Sequence, residues 1–150
     1  MDNALLVANV AQLLSTCLVL VLLTFAVALR MLWSRAREAR AKRLHPQKLA
    51  TSGQMAAHME DTRAADNFRN LFEVPVLFYA LASLAVALGH VPAWLVTGAW
   101  LFVLSRIAHS LIHCSYNRVL HRFIAFGGGF LLLVLMWLGY VADLTSALAA

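Results

Sequence analysis

The sequence predicts an all-α integral membrane protein, a bundle of four transmembrane helices, and three observations carry that prediction. Of its 150 residues 62% are hydrophobic, and the mean hydropathy is +0.76, far from the roughly half-apolar composition of a soluble domain. The apolar residues gather in long runs, and a spanning helix needs about 20 of them, so the length allows four or five spans at most. The charges are segregated: nine of the twelve Lys and Arg lie between Arg30 and Arg69, and the others are Arg106, Arg118 and Arg122. One compact domain over residues 1 to 150 is the natural reading.

Span one runs from about Ala4 to Ala28 and ends at Arg30, where the segment RMLWSRAREARAKRLHPQK begins and cationic side chains can snorkel to lipid headgroups. Its uncharged run is too long for a signal-peptide core and has no basic stretch before it, so it reads as a retained span. The linker that follows is polar from about Ser52 to Thr62 and contains a Ser-Gly pair, which predicts a turn or a short surface helix. Span two covers about residues 66 to 89 and stops at Gly89-His90-Val91-Pro92, a tight turn punctuated by Gly and Pro. Span three runs from Ala93 to about Tyr116. Span four runs from Phe123 to Ala142 and opens on AFGGGF, whose glycines permit close approach between helices.

The uncharged stretch Val74 to Ser105 is too long for one helix and too short for two. Spans two and three must therefore take in polar flanks, Asn67 to Glu73 and Arg106 to Tyr116, to gain the length to cross. The loops after span one and between spans three and four are the basic ones, which predicts that both face the cytoplasm and that both termini and the His90 turn lie outside. The net charge of +5 reports this orientation, and no nucleic-acid partner is expected. No internal repeat of the kind found in two-halved transporters is present. Cys17 and Cys114 sit in apolar runs and read as small buried hydrophobes. Trp33, Trp94, Tyr116 and Tyr140 stand near span ends, where an interfacial aromatic belt forms.

Ionisable side chains at membrane depth are costly, and by default they mark a functional site or a structural partner. At about 100° per residue, Arg106, His109, Ser110, His113 and Asn117 share one stripe of span three, and Arg63, Asp66, Asn67, Asn70 and Glu73 share one stripe of span two. Antiparallel packing sets the stripes face to face, with Glu73 and Arg106 at comparable depth as an expected ion pair. Gluing two helices needs one or two polar contacts, so the surplus predicts a polar cavity. Its cationic excess suits an anionic ligand, which Arg can grip in bidentate fashion. His109 and His113, four apart, could hold a metal or haem on one face, yet there is no His-Glu-x-x-His pattern, and neutral pocket histidines are the leading reading with no metal expected. His45, His58, His90 and His121 read as solvated loop or linker histidines.

Both polar stripes resemble those of a known family, the MAPEG proteins, membrane-associated proteins in eicosanoid and glutathione metabolism, in a bacterial-type member. RAADNFRNLFEVPVLF, residues 63 to 78, resembles the family signature at the start of its second helix, and SRIAHSLIHCSYNRVLHR resembles its third-helix stretch. Arg63 with Asn67 keeps the family's Arg to Asn spacing, while Asn70 with Glu73 keeps its Asn to Glu spacing, so both asparagines stand as candidates. His113 occupies a place where the family usually has Tyr, with Tyr116 one turn on.

The resemblance implies a four-helix bundle assembled as a homotrimer, with glutathione bound between neighbouring subunits on the cytoplasmic side. It implies that Arg63, Asn67 or Asn70, Glu73, Arg106 and Tyr116 hold glutathione, that Arg30 reaches into the adjacent subunit's site, and that Arg122 activates the thiol while His109 or His113 orients it. The expected activity is that of a glutathione-dependent transferase or peroxidase acting on lipophilic small molecules that enter from membrane lipid. Two alternatives stay open: a non-catalytic member of the fold that binds a lipid or other ligand, and a small membrane redox protein with haem on His109 or His113.

Overall fold

The computed structural model describes residues 3 to 149. Its helices, in chain order, are α1 (Asn3–Ala41), α2 (Ser52–His58), α3 (Arg63–Asn70), α4 (Val74–Ala87), α5 (Ala93–Cys114) and α6 (Val119–Ala149). Four helical stretches are long and apolar enough to cross a membrane, with α3 and α4 together forming the second. The chain is a multi-pass membrane bundle of four spans.

The helix that carries the first span, α1, runs on through the basic segment for 39 residues, about 58 Å at 1.5 Å per residue. The basic segment continues the helix because Ala, Arg, Glu and Leu are strong helix formers, and because Glu38 meets Lys42 one turn on at 2.7 Å. A Schellman motif then stops it. Leu44 N–H donates to Ala39 O at 2.9 Å and Arg43 N–H to Arg40 O at 3.2 Å, with Arg43 in the left-handed region at φ 52°. The linker holds a 3-10 turn and α2, whose N-terminus is a capping box between Thr51 and Gln54. It is fastened back onto α1: Glu38 accepts from the backbone N–H of Glu60 at 2.7 Å, and Lys42 Nζ donates to His58 O at 2.9 Å and to Glu60 Oε1 at 2.8 Å.

Span two is not one helix. Pro75 has no N–H to give Leu71 O, and its ring would clash with that carbonyl, so helix cannot run through residues 71 to 73. α3 ends at Asn70, α4 starts at Val74, and Glu73 between them is exposed with non-helical backbone angles. At the other end α4 closes on a second Schellman motif, with Gly89 at φ 62° and His90 N–H donating to Ala85 O at 3.1 Å. The positive φ explains the glycine there.

α5 is the central element, packed along both α6 and α1. Its Leu95, Ala99, Phe102 and Val103 are buried against Phe78 and Leu81 of α4, Leu13 and Leu20 of α1, and Leu133 and Met136 of α6. The Phe78 and Phe102 rings stack at 5.0 Å. The outer faces carry Leu14, Leu18, Leu22 and Phe25 on α1 and Leu131, Leu135 and Leu138 on α6, a surface suited to hydrocarbon. Tyr140, near a span end, faces the interior of the bundle. It is fully buried, and its hydroxyl donates to His90 O at 3.1 Å. His90 is likewise no solvated loop histidine, since its Nε2 lies 3.2 Å from Asp143 Oδ2, which also accepts from Trp94 Nε1 at 3.1 Å.

Candidate functional site

The break in span two, the last turns of α5 and the first turns of α6 enclose a cleft of about 440 Å³, within the range of about 300–1,000 Å³ usual for small-molecule sites. Asp66, Arg69, Asn70 and Glu73 line one side. His109, His113 and Arg122 line the other, with Val119, Phe123 and Phe126 as the apolar wall. Asp66, Arg69 and Asn70 share one face of α3, and Glu73 joins them from the break that follows. That face is rotated from the expected stripe, and the rotation changes the charge of the site. Two carboxylates and two guanidinium groups line it, so the expected cationic excess is replaced by balance.

The expected ion pair between Glu73 and Arg106 does not form. Arg106 is 2% exposed and turns toward α6, where its Nη2 donates to Ala125 O at 3.1 Å and Phe126 O at 2.9 Å. Its guanidinium also lies over the Phe102 and Phe126 rings, at 5.4 and 5.0 Å. Gly129 makes this possible, because a Cβ there would collide with Ser105 and with the Arg106 guanidinium. Arg106 thus stands behind the cleft wall, against Phe126.

Arg63 also leaves the predicted stripe. It bonds both oxygens of Asp61, at 2.8 and 3.2 Å, and Ser115 O at 2.7 Å. The Arg63 guanidinium holds the Asp61 carboxyl below the usual carboxylate range. Arg30 joins them, 3.9 Å from Asp61 and stacked over Trp33. Together with Arg37 and Glu38 these residues line a second cleft of about 330 Å³ on the α1 side. Asn67 is fully buried between α3 and α5, donating to Cys114 Sγ at 3.4 Å and accepting from the Ser110 hydroxyl at 3.4 Å. Tyr116 is exposed and pairs with His121 at 3.1 Å. Of the expected site residues, the first cleft gathers Asn70, Glu73, His109, His113 and Arg122, and the second gathers Arg30 and Arg63.

Arg69 is the polar cleft residue that sequence reasoning missed, beside the apolar Val119, Phe123 and Phe126. The signal was its place three residues after Asp66 and four before Glu73, legible once Arg63 and Asn67 are taken off the face. Within the cleft the two histidines are tied to one residue. His109 Nδ1 faces Arg122 O at 3.2 Å, and His113 Nε2 accepts from Arg122 Nη1 at 2.9 Å. Both rings are nearly sealed, at 3% and 2% exposed, and His109 Nε2 and His113 Nδ1 are buried without a partner. Buried polar atoms in a native fold are normally satisfied, so two orphans beside a cleft point to a ligand or ordered water. Among the described residues no three His, Cys, Asp or Glu gather as metal ligands.

No curated protein and no solved structure matches this chain. The family model of the MAPEG family matches residues 13 to 142, which takes in both clefts and the greater part of every span. The chain belongs to the MAPEG family.

Proposed function

We propose that this chain is a membrane-embedded glutathione-dependent transferase or peroxidase acting on lipophilic electrophiles. Family membership supports a function of the glutathione and eicosanoid kind, and the composition of the cleft carries the rest. Glutathione has an amine, two carboxylates and a thiol. The cleft offers Asp66 and Glu73 to an amine, Arg69 and Arg122 to anionic groups, Asn70 as a neutral donor and acceptor, and apolar Phe123 and Phe126 beside them. Mixed charge fits a ligand that carries both an amine and carboxylates.

In this reading Arg122 favours the thiolate over the thiol, and the thiolate is the reactive nucleophile. The thiol proton leaves to solvent, the sulfur forms a bond to the electrophilic carbon, and the leaving group departs with its electron pair. His109 and His113 orient the sulfur. The electrophile reaches the site from the bilayer. Asn70, which lines the cleft, is preferred over Asn67 as the ligand, and Arg106 acts from behind the wall through Phe126. The basic loops and the cleft face the cytoplasm, with both termini outside, as the charge segregation supports. In a homotrimer the second cleft, with Arg30 and Arg63, would complete a neighbour's site.

A ligand-binding member without chemistry is the competing reading, favoured by His113 standing where the family usually has Tyr. Kinetics with a chloronitrobenzene electrophile separate the two. Arg122→Ala should lower kcat by about a hundredfold or more while KM for glutathione changes little, the signature of an interaction made in the transition state. Equal loss in both would contradict the activating role, and absence of turnover in the wild-type chain would favour the competing reading.

A further inference from the structure

Arg122 comes to the cleft with one end of its guanidinium already committed. Its Nη1 donates to His113 Nε2 and to Asn117 Oδ1, each at 2.9 Å, which uses both hydrogens of that nitrogen. A guanidinium only donates, so His113 Nε2 must carry the lone pair, and a neutral ring then holds its proton on Nδ1. That Nδ1 is the buried atom without a partner. Asn117 sits in the left-handed region at φ 50°, which Asn tolerates better than most residues. Its backbone N–H donates to Ile112 O at 2.9 Å, closing the turn between α5 and α6. One residue thus makes the turn and presents the acceptor.

We propose that His113 and Asn117 are positioning residues that clamp Arg122, leaving its Nε and Nη2 donors as a preset group for one anionic atom of the ligand. This deepens the proposed function and rests on it for the ligand, glutathione, whose thiolate is the anion served. Arg has several rotatable bonds that a ligand must otherwise freeze, and a clamp freezes them in advance. A thiolate gains more from aligned donors than a neutral thiol does. The clamp should therefore act on thiolate formation, and affinity for the whole tripeptide, held by other residues, should change little.

Two readouts on the full-length, detergent-solubilised protein test this. The first is 15N NMR with labelled histidine, the His113 signals being assigned by their loss in His113→Phe. His113 is expected to be protonated on Nδ1 in the wild type and to lose that preference in Arg122→Met; protonation on Nε2 in the wild type would overturn the clamp. The second is glutathione thiolate absorbance beside glutathione affinity. Asn117→Gly keeps the left-handed backbone and deletes the acceptor, and His113→Phe deletes the other. Thiolate absorbance should fall about a hundredfold in each while affinity stays within about threefold, with partial recovery in Asn117→Asp and His113→Gln. Unchanged absorbance in both deletion variants, or equal loss of affinity, would overturn the proposal. If the wild type neither binds glutathione nor raises the absorbance, the proposed function falls, and the tautomer of His113 alone upholds or overturns the clamp.

Discussion

Arg106 and Asp61 illustrate how this chain handles charge at the edge of a bilayer. A buried guanidinium needs partners, and a carboxylate is only one kind. Carbonyl oxygens have two lone pairs each, so Ala125 and Phe126 can keep their helical bonds and still accept from Arg106. Asp61 takes the opposite course and collects two arginines, Arg63 at 2.8 Å and Arg30 at 3.9 Å. Its carboxyl is held low first by the hydrogen bond from Arg63. The sign follows: a lowered pKa in the folded chain stabilises at pH above the unfolded value of about 3.9, and that contribution is lost as pH falls through the folded value. Melting curves in detergent between about pH 5 and pH 3 should therefore drop less steeply for Asp61→Asn than for the wild type. Parallel curves would show that the pair does nothing for stability.

Among the helices, glycine and proline decide where polar groups end up. The run Gly127-Gly128-Gly129 looks uniform in sequence, yet only Gly129 is pressed against α5. Gly129→Ala should cost about 1–3 kcal/mol through overpacking against Ser105 and Arg106, whereas Gly127→Ala and Gly128→Ala, with open space at the Cβ, should cost nothing measurable. Thermal melting of the three variants checks the contrast, and equal shifts would refute the packing described. The spans themselves were legible because the bilayer demands about 20 apolar residues of each. The polar face of span two was legible only in part. A helical projection carried through Asn70 to Glu73 assumes an unbroken helix, and Pro75 breaks it. The same projection cannot tell which of two adjacent faces meets α5. For that reason the sequence pattern puts Arg63 and Asn67 in the cleft and passes over Arg69. The partner of Arg106 was hidden for a different reason, since backbone carbonyls and a missing Cβ leave no mark in a list of charged residues.

Across the whole molecule the two ends of the bundle differ in kind. At the His90 end, Tyr140, Asp143, Trp94 and Asn9 close the turn with direct hydrogen bonds, and the interior is apolar. At the other end the interrupted span, the histidine pair and Arg122 leave an open polar cleft with two orphaned nitrogens. A helix broken at membrane depth exposes backbone polar groups, which a bilayer tolerates only where protein or a water-lined cavity meets them. Glu73, in the break, lines the cleft, whose mixed charge beside an apolar wall suits a thiol that carries an amine and carboxylates and meets a lipophilic partner. The ultraviolet difference absorbance of glutathione added to the purified wild-type protein, with Arg122→Ala alongside, tests this reading. Thiolate absorbance near neutral pH that is present in the wild type and lost in Arg122→Ala is the predicted result; no thiolate in the wild type, or a signal untouched by the substitution, would contradict it.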